Sequence, residues 1–117
     1  MINNITRKAI LIGCPGSGKN YLHGVGQDLQ NIHGFLCSDK GGRWFNNEIT
    51  ILANATPERT LTLIHSTIAD YVFIYFSGHG YTSHINKRML MFGTKPIPDL
   101  YFLNKSPRQL IVMQGIC

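Results

Sequence analysis

Two residues of this sequence stand where chemistry is possible, and both leave the end of an apolar run. His79 lies in Ser77-Gly78-His79-Gly80, directly after the aromatic and β-branched stretch Asp70-Tyr71-Val72-Phe73-Ile74-Tyr75-Phe76. Cys117 follows Gln109-Leu110-Ile111-Val112-Met113 by four residues. An imidazole held beside a thiol raises the thiolate fraction, and a thiolate is the nucleophile of cysteine acyl chemistry. Gly78 and Gly80 allow a tight exit from the strand and a close approach of substrate backbone. The Gly80 amide can face a developing oxyanion. All of this requires the two apolar runs to be neighbouring strands, so that His79 and Cys117 meet at one edge of a sheet.

The elements that must position them are legible as alternating strands and helices. Residues 7–13 read as a first strand, with a continuous apolar core of the kind found when both faces of a sheet are covered. A glycine-rich loop follows over 14–24. Residues 27–36 carry Leu29, Ile32, Phe35 and Leu36 at helical spacing. Residues 48–53 are a second strand. Thr56-Pro57-Glu58 is a helix start, with a capping hydroxyl, proline at the first helical position and an acid in the first turn. That helix continues through Leu61, Ile64, His65 and Ile68. Residues 70–77 give the strongest strand pattern. Residues 88–92 form a short extended segment, 98–103 a short helix, and 109–113 a last buried strand. This alternation predicts an α/β fold with a mainly parallel sheet. Ligands of such sheets sit beyond the carboxyl ends of the strands. The loops after Gly13, at His79 and at Cys117 belong there.

Composition sets the frame. The chain has 117 residues, 44% of them hydrophobic and 15% charged, which fits one packed domain and excludes a disordered chain. No apolar run approaches the roughly 20 residues of a membrane helix. The N-terminus lacks a secretory cleavage pattern, so a cytoplasmic location is expected. The three cysteines, Cys14, Cys37 and Cys117, suit neither a disulfide framework nor a zinc site. The formal charge of +5 is spread thinly, with Lys87-Arg88 the densest basic group, so nucleic acid is not an expected partner.

Several segments, in order, resemble the large-subunit half of the caspase and metacaspase family of cysteine peptidases. Tyr75-Phe76-Ser77-Gly78-His79-Gly80 is similar to that family's Y-x-S-G-H-G segment, which carries the catalytic histidine. Residues 8–13 resemble its first strand, 21–28 the segment opening its first helix, and 49–60 its second strand and the following helix start. Residues 110–117 resemble the strand leading to the nucleophile. The resemblance spans residues 7 to 117. It implies a caspase-like three-layer sandwich of which the first four core strands are present. It implies His79 as base, Cys117 as nucleophile, and the amides of Gly80 and Cys117 as oxyanion donors. It places Asp28 and Ser77 in the primary specificity pocket, where an acid would favour a basic residue before the scissile bond. It implies no metal and no organic cofactor. Peptide or protein substrates, a C-terminal small-subunit half and a homodimeric mate are the partners expected. In sequence terms the chain looks like a fragment, a processed subunit or a truncated product. It departs from the family at Gly115, where an acid or glutamine is usual; Gln114 supplies that role only if the strand end bulges. Cys117 follows His79 by 38 residues, a shorter gap than the usual separation of about 50.

Two other functions fit parts of the sequence. An inactive caspase-like scaffold or interaction module is consistent with Gly115. Gly13-Cys14-Pro15-Gly16-Ser17-Gly18-Lys19 fits G-x-x-x-x-G-K, the phosphate-binding loop, directly after a strand. Asn20 then stands where Ser or Thr should hold magnesium, and Gly24 and Gly26 interrupt the first turns of the helix. Plainer roles are expected elsewhere. Asp28 also suits the first turn of a helix on dipole grounds alone. His23, His33, His65 and His84 read as surface or packing residues, Cys14 and Cys37 as structural thiols, and Trp44 as a core anchor or a cap on the sheet.

Overall fold

The computed structural model describes residues 5–102 and 109–115. Its frame is a four-stranded parallel sheet of β1 (Arg7–Cys14), β2 (Ile49–Leu52), β3 (Tyr71–Gly78) and β7 (Gln109–Gly115), in the order β2-β1-β3-β7. Helix α1 (Val25–Cys37) joins β1 to β2, and α2 (Pro57–Ser66) joins β2 to β3. The fold is therefore α/β with a parallel main sheet, as the alternation of elements predicts.

The two helices cover opposite faces, and the side-chain alternation of β1 divides the core between them. Ala9 and Leu11 pack with Leu29 and Leu36 of α1, and with Tyr75 and Trp44. Ile10, Ile12 and Cys14 pack with Ile64 of α2, and with Ile74 and Phe76. A strand buried on both sides must be apolar at every position, which is why residues 9–12 carry no polar side chain. Trp44 caps the α1 side, its ring 4.5 Å below the Arg7 guanidinium, which also holds Glu48 at 3.1 Å.

Helix α2 begins as its sequence specifies: the Thr56 hydroxyl accepts the Arg59 N–H at 3.3 Å and Pro57 fills the first turn. It stops earlier than the periodicity suggests. Ser66 is its last residue, and Ile68, expected on its apolar face, is 93% exposed. Helix α1 starts earlier than expected, at Val25, with Gly26 inside its first turn rather than interrupting it.

The segment after β3 is richer than the sequence suggests. Besides β5 (Arg88–Phe92), it contains β4 (Gly80–Thr82) and β6 (Lys95–Pro98) in an antiparallel sheet of order β4-β5-β6. The expected short helix is a 3-10 turn over Asp99–Phe102; residue 103, its expected end, lies outside the described residues. Leu90 and Phe92 insert into the core on the α2 side and dock the small sheet against the large one.

One buried polar atom stands out in the α2 core. Thr60 is fully buried, and its hydroxyl has no hydrogen-bond partner among the described residues. Thr60→Val keeps the shape and removes the orphan hydroxyl. We expect it to stabilise the fold by about 1 kcal/mol, read as a higher urea midpoint at unchanged slope.

Candidate active site at the carboxyl edge of the sheet

The strand register brings the site together. β3 lies between β1 and β7, and all three run parallel. Gly78 is level with Cys14 on one side and with Gly115 on the other. The loop after β1, the histidine segment after β3 and the chain leaving β7 thus depart from one edge. His79 is the first residue beyond β3. Cys117, two residues beyond the end of β7, lies outside the described residues.

Gly78 is required where it stands. A Cβ there would lie 2.6 Å from the carbonyl oxygen of Cys14 and 3.0 Å from the Phe76 ring. The backbones of β1 and β3 approach closely at this point, just before the chain turns out to His79. His79 is half-buried, and its carbonyl accepts the Met91 N–H at 3.0 Å. That bond makes the adjacent pair Gly80–Leu90 a non-hydrogen-bonded pair of the antiparallel ladder. The Gly80 N–H therefore points away from β5.

Asp28 and Ser77, far apart in sequence, meet. The Ser77 hydroxyl donates to Asp28 Oδ2 at 2.7 Å. Ser77 is 1% exposed at the end of β3, and Asp28 is half-buried in the first turn of α1. Tyr75, two residues back on the same face, has its phenol pushed above the usual range by burial and by the nearby Asp28 carboxylate. The α1 side of the edge thus holds a carboxylate fixed by a buried hydroxyl. Gln114 is level with Ser77 in the register of β3 and β7.

On the other side of His79 opens a cleft of about 520 Å³. It is lined by Gly16 and Ser17 from the loop after β1, by His79, Gly80 and Tyr81, and by Met91, Gly93 and Thr94 from β5 and its turn. No sequence pattern singles out Tyr81, Met91 or Thr94. Their role depends on β4 and on the fold-back of β5, and neither has a distinct sequence pattern.

The phosphate-loop-like segment takes a different shape from the one its motif requires. Gly16 and Gly18 adopt φ of 82° and 63°, and a 3-10 turn spans Gly18–Asn20. The long helix begins only at Val25. Lys19 is thus not in the first turn of a helix aimed at a phosphate.

Three of the other histidines have structural partners. His33 Nε2 lies 3.0 Å from Asn46 Oδ1, and His65 Nε2 lies 2.9 Å from the Tyr101 carbonyl. His23 packs edge-on against Tyr21. No group of three or more metal-binding side chains occurs among the described residues, and no described helix is long and apolar enough to cross a membrane.

Cys14 is 4% exposed, and burial pushes its thiol up to about 12, partly opposed by the Ala55 carbonyl contact. It is a core thiol rather than a nucleophile. The sign of its pH effect follows from linkage. Above about pH 9 the unfolded chain loses this proton while the folded chain keeps it until about 12. Folding stability therefore falls as pH rises through that window. Urea midpoints measured from pH 8 upward should decline in the wild type and decline less in Cys14→Ala.

No protein-family model matches the chain, and no curated protein matches its sequence.

Proposed function

We propose that this chain carries the histidine- and cysteine-bearing part of a cysteine endopeptidase of the caspase and metacaspase type. The observation that supports this best is the register of β3 and β7. The two strands that precede His79 and Cys117 are parallel neighbours, with Gly78 level with Gly115.

In this reading His79 takes the proton of the Cys117 thiol, and the thiolate attacks the scissile carbonyl carbon. The carbonyl oxygen becomes an oxyanion that the amides of Gly80 and Cys117 receive. The C–N bond then breaks. The leaving amine takes the proton from the imidazolium, and the acyl group remains on sulfur as a thioester. Water attacks the thioester with His79 as base, which releases the carboxylic acid and restores the thiol. Thiol, imidazole and amides suffice, so the reaction needs no metal or organic cofactor. The substrates are proteins in the cytoplasm. A C-terminal half of the domain pairs along β7, an edge strand among the described residues.

The test is cleavage of short peptide reporters by the full-length gene product, with Cys117→Ala as control. Turnover that disappears in Cys117→Ala supports the proposal. A folded protein without turnover on any reporter favours an inactive scaffold. The Asp28–Ser77 pair adds a specificity prediction, because a half-buried carboxylate held by a hydrogen bond favours a cationic residue. Asp28→Asn should reduce kcat/KM for reporters with Arg before the scissile bond by roughly ten- to a hundredfold, about 1.4–2.8 kcal/mol. Uncharged reporters should change far less. Equal losses on both reporter types would remove Asp28 from the specificity pocket.

A further inference from the structure

We infer that the cleft beside His79 receives the first residue of the leaving segment and selects an apolar or aromatic side chain there. This rests on the peptidase reading above and extends it to the far side of the scissile bond.

The assignment of sides follows from the proton that must be delivered. The general acid protonates the leaving amine, so the leaving segment starts within reach of the imidazole. His79 lines the cleft. The Asp28–Ser77 pair lies on the α1 side of the main sheet, with Ser77 two residues beyond Tyr75 of the α1-side core. The small sheet that walls the cleft docks on the α2 side through Leu90 and Phe92. A peptide crossing the carboxyl edge therefore has a carboxylate pocket on one side of His79 and the cleft on the other. The acyl part and the leaving part cannot share a side.

The chemistry of the walls sets the preference. Met91 alternates with the buried Leu90 and Phe92, so its side chain is turned from the core and lines the cleft. Tyr81, 44% exposed, supplies an aromatic face. Ser17, Gly93 and Thr94 close the remainder with small groups, and no Asp, Glu, Lys or Arg lines the cleft among the described residues. A thioether and an aromatic ring favour apolar and aromatic guests, and the thioether adapts to their shape. The volume of about 520 Å³ falls among small-ligand clefts and admits a large side chain with its flanking backbone.

The test uses the full-length gene product and peptides identical except at the residue after the scissile bond, set to Phe, Leu, Gly or Asp. In parallel, Cys117 is labelled with a thiol-reactive peptide probe that carries no residue beyond the reactive group. We expect kcat/KM for Phe or Leu to exceed that for Gly or Asp by about tenfold or more. Thr94→Trp, at an exposed turn position, fills the cleft and should bring that ratio towards one; Ser17→Trp does the same from the loop after β1 if the first variant fails to fold. A flat profile with His79-dependent labelling of Cys117 intact would overturn the cleft assignment and leave the peptidase standing. Loss of His79-dependent labelling as well would overturn both.

Discussion

Replacing His79 with alanine should lower kcat/KM for peptide cleavage roughly a thousandfold, within the range of about 10²–10⁴ for a lost general base. The fold should survive the change. One bond that anchors this segment to β5 runs from the Met91 N–H to the His79 carbonyl, and alanine keeps that carbonyl and the β4–β5 ladder. Thermal unfolding should shift by only a few degrees, which separates a chemical role from a structural one. The double variant His79→Ala/Cys117→Ala should be little worse than either single change, since members of one catalytic unit are strongly non-additive. Additive losses would mean that the two residues act independently.

Gly78→Ala should damage both stability and activity, for a reason found only in the backbone. The added methyl group would meet the Cys14 carbonyl at 2.6 Å, and a main-chain carbonyl cannot swing aside as a side chain can. Relief requires β1 and β3 to separate at the point where His79 leaves the sheet. We expect a loss of about 1–3 kcal/mol of stability from overpacking. We also expect about a hundredfold loss of kcat/KM, because a displacement of about 1 Å at a reacting group costs that much. Gly34→Ala is the control. Gly34 lies in α1 with nothing within 4 Å of an added Cβ, so alanine there should be neutral or stabilising. Wild-type stability and turnover in Gly78→Ala would refute the close approach of β1 and β3.

What could be read from the sequence follows from how strongly each element is determined locally. β1 and β3 announce themselves through continuous apolar runs, because burial on both faces leaves few alternatives, and the helices through their spacing or capped start. The adjacency of β3 and β7 was a condition rather than a reading, since strand order is a property of the whole chain. The small sheet was largely hidden. β4 is three residues long, and β6, Lys95-Pro96-Ile97-Pro98, carries two prolines that read against a strand. Proline is tolerated there because β6 is an edge strand among the described residues. The early end of α2 was hidden for another reason: Ile68 continues the apolar periodicity but is 93% exposed. Gly78 could be singled out in advance only as a flexible turn residue. That a Cβ is excluded there becomes visible once β1 lies beside it. Asp28 and Ser77 became a pair only through a resemblance to a family; no local pattern links positions 49 residues apart.

The most direct measurement is labelling of Cys117 by a peptide-based thiol-reactive probe in the full-length gene product, mapped by mass spectrometry in wild type and His79→Ala. A thiolate made by His79 predicts modification at Cys117 in the wild type, little at buried Cys14, and a rate lower by about a hundredfold or more in the variant. A folded protein whose Cys117 stays unmodified, or reacts equally fast without His79, would contradict the account.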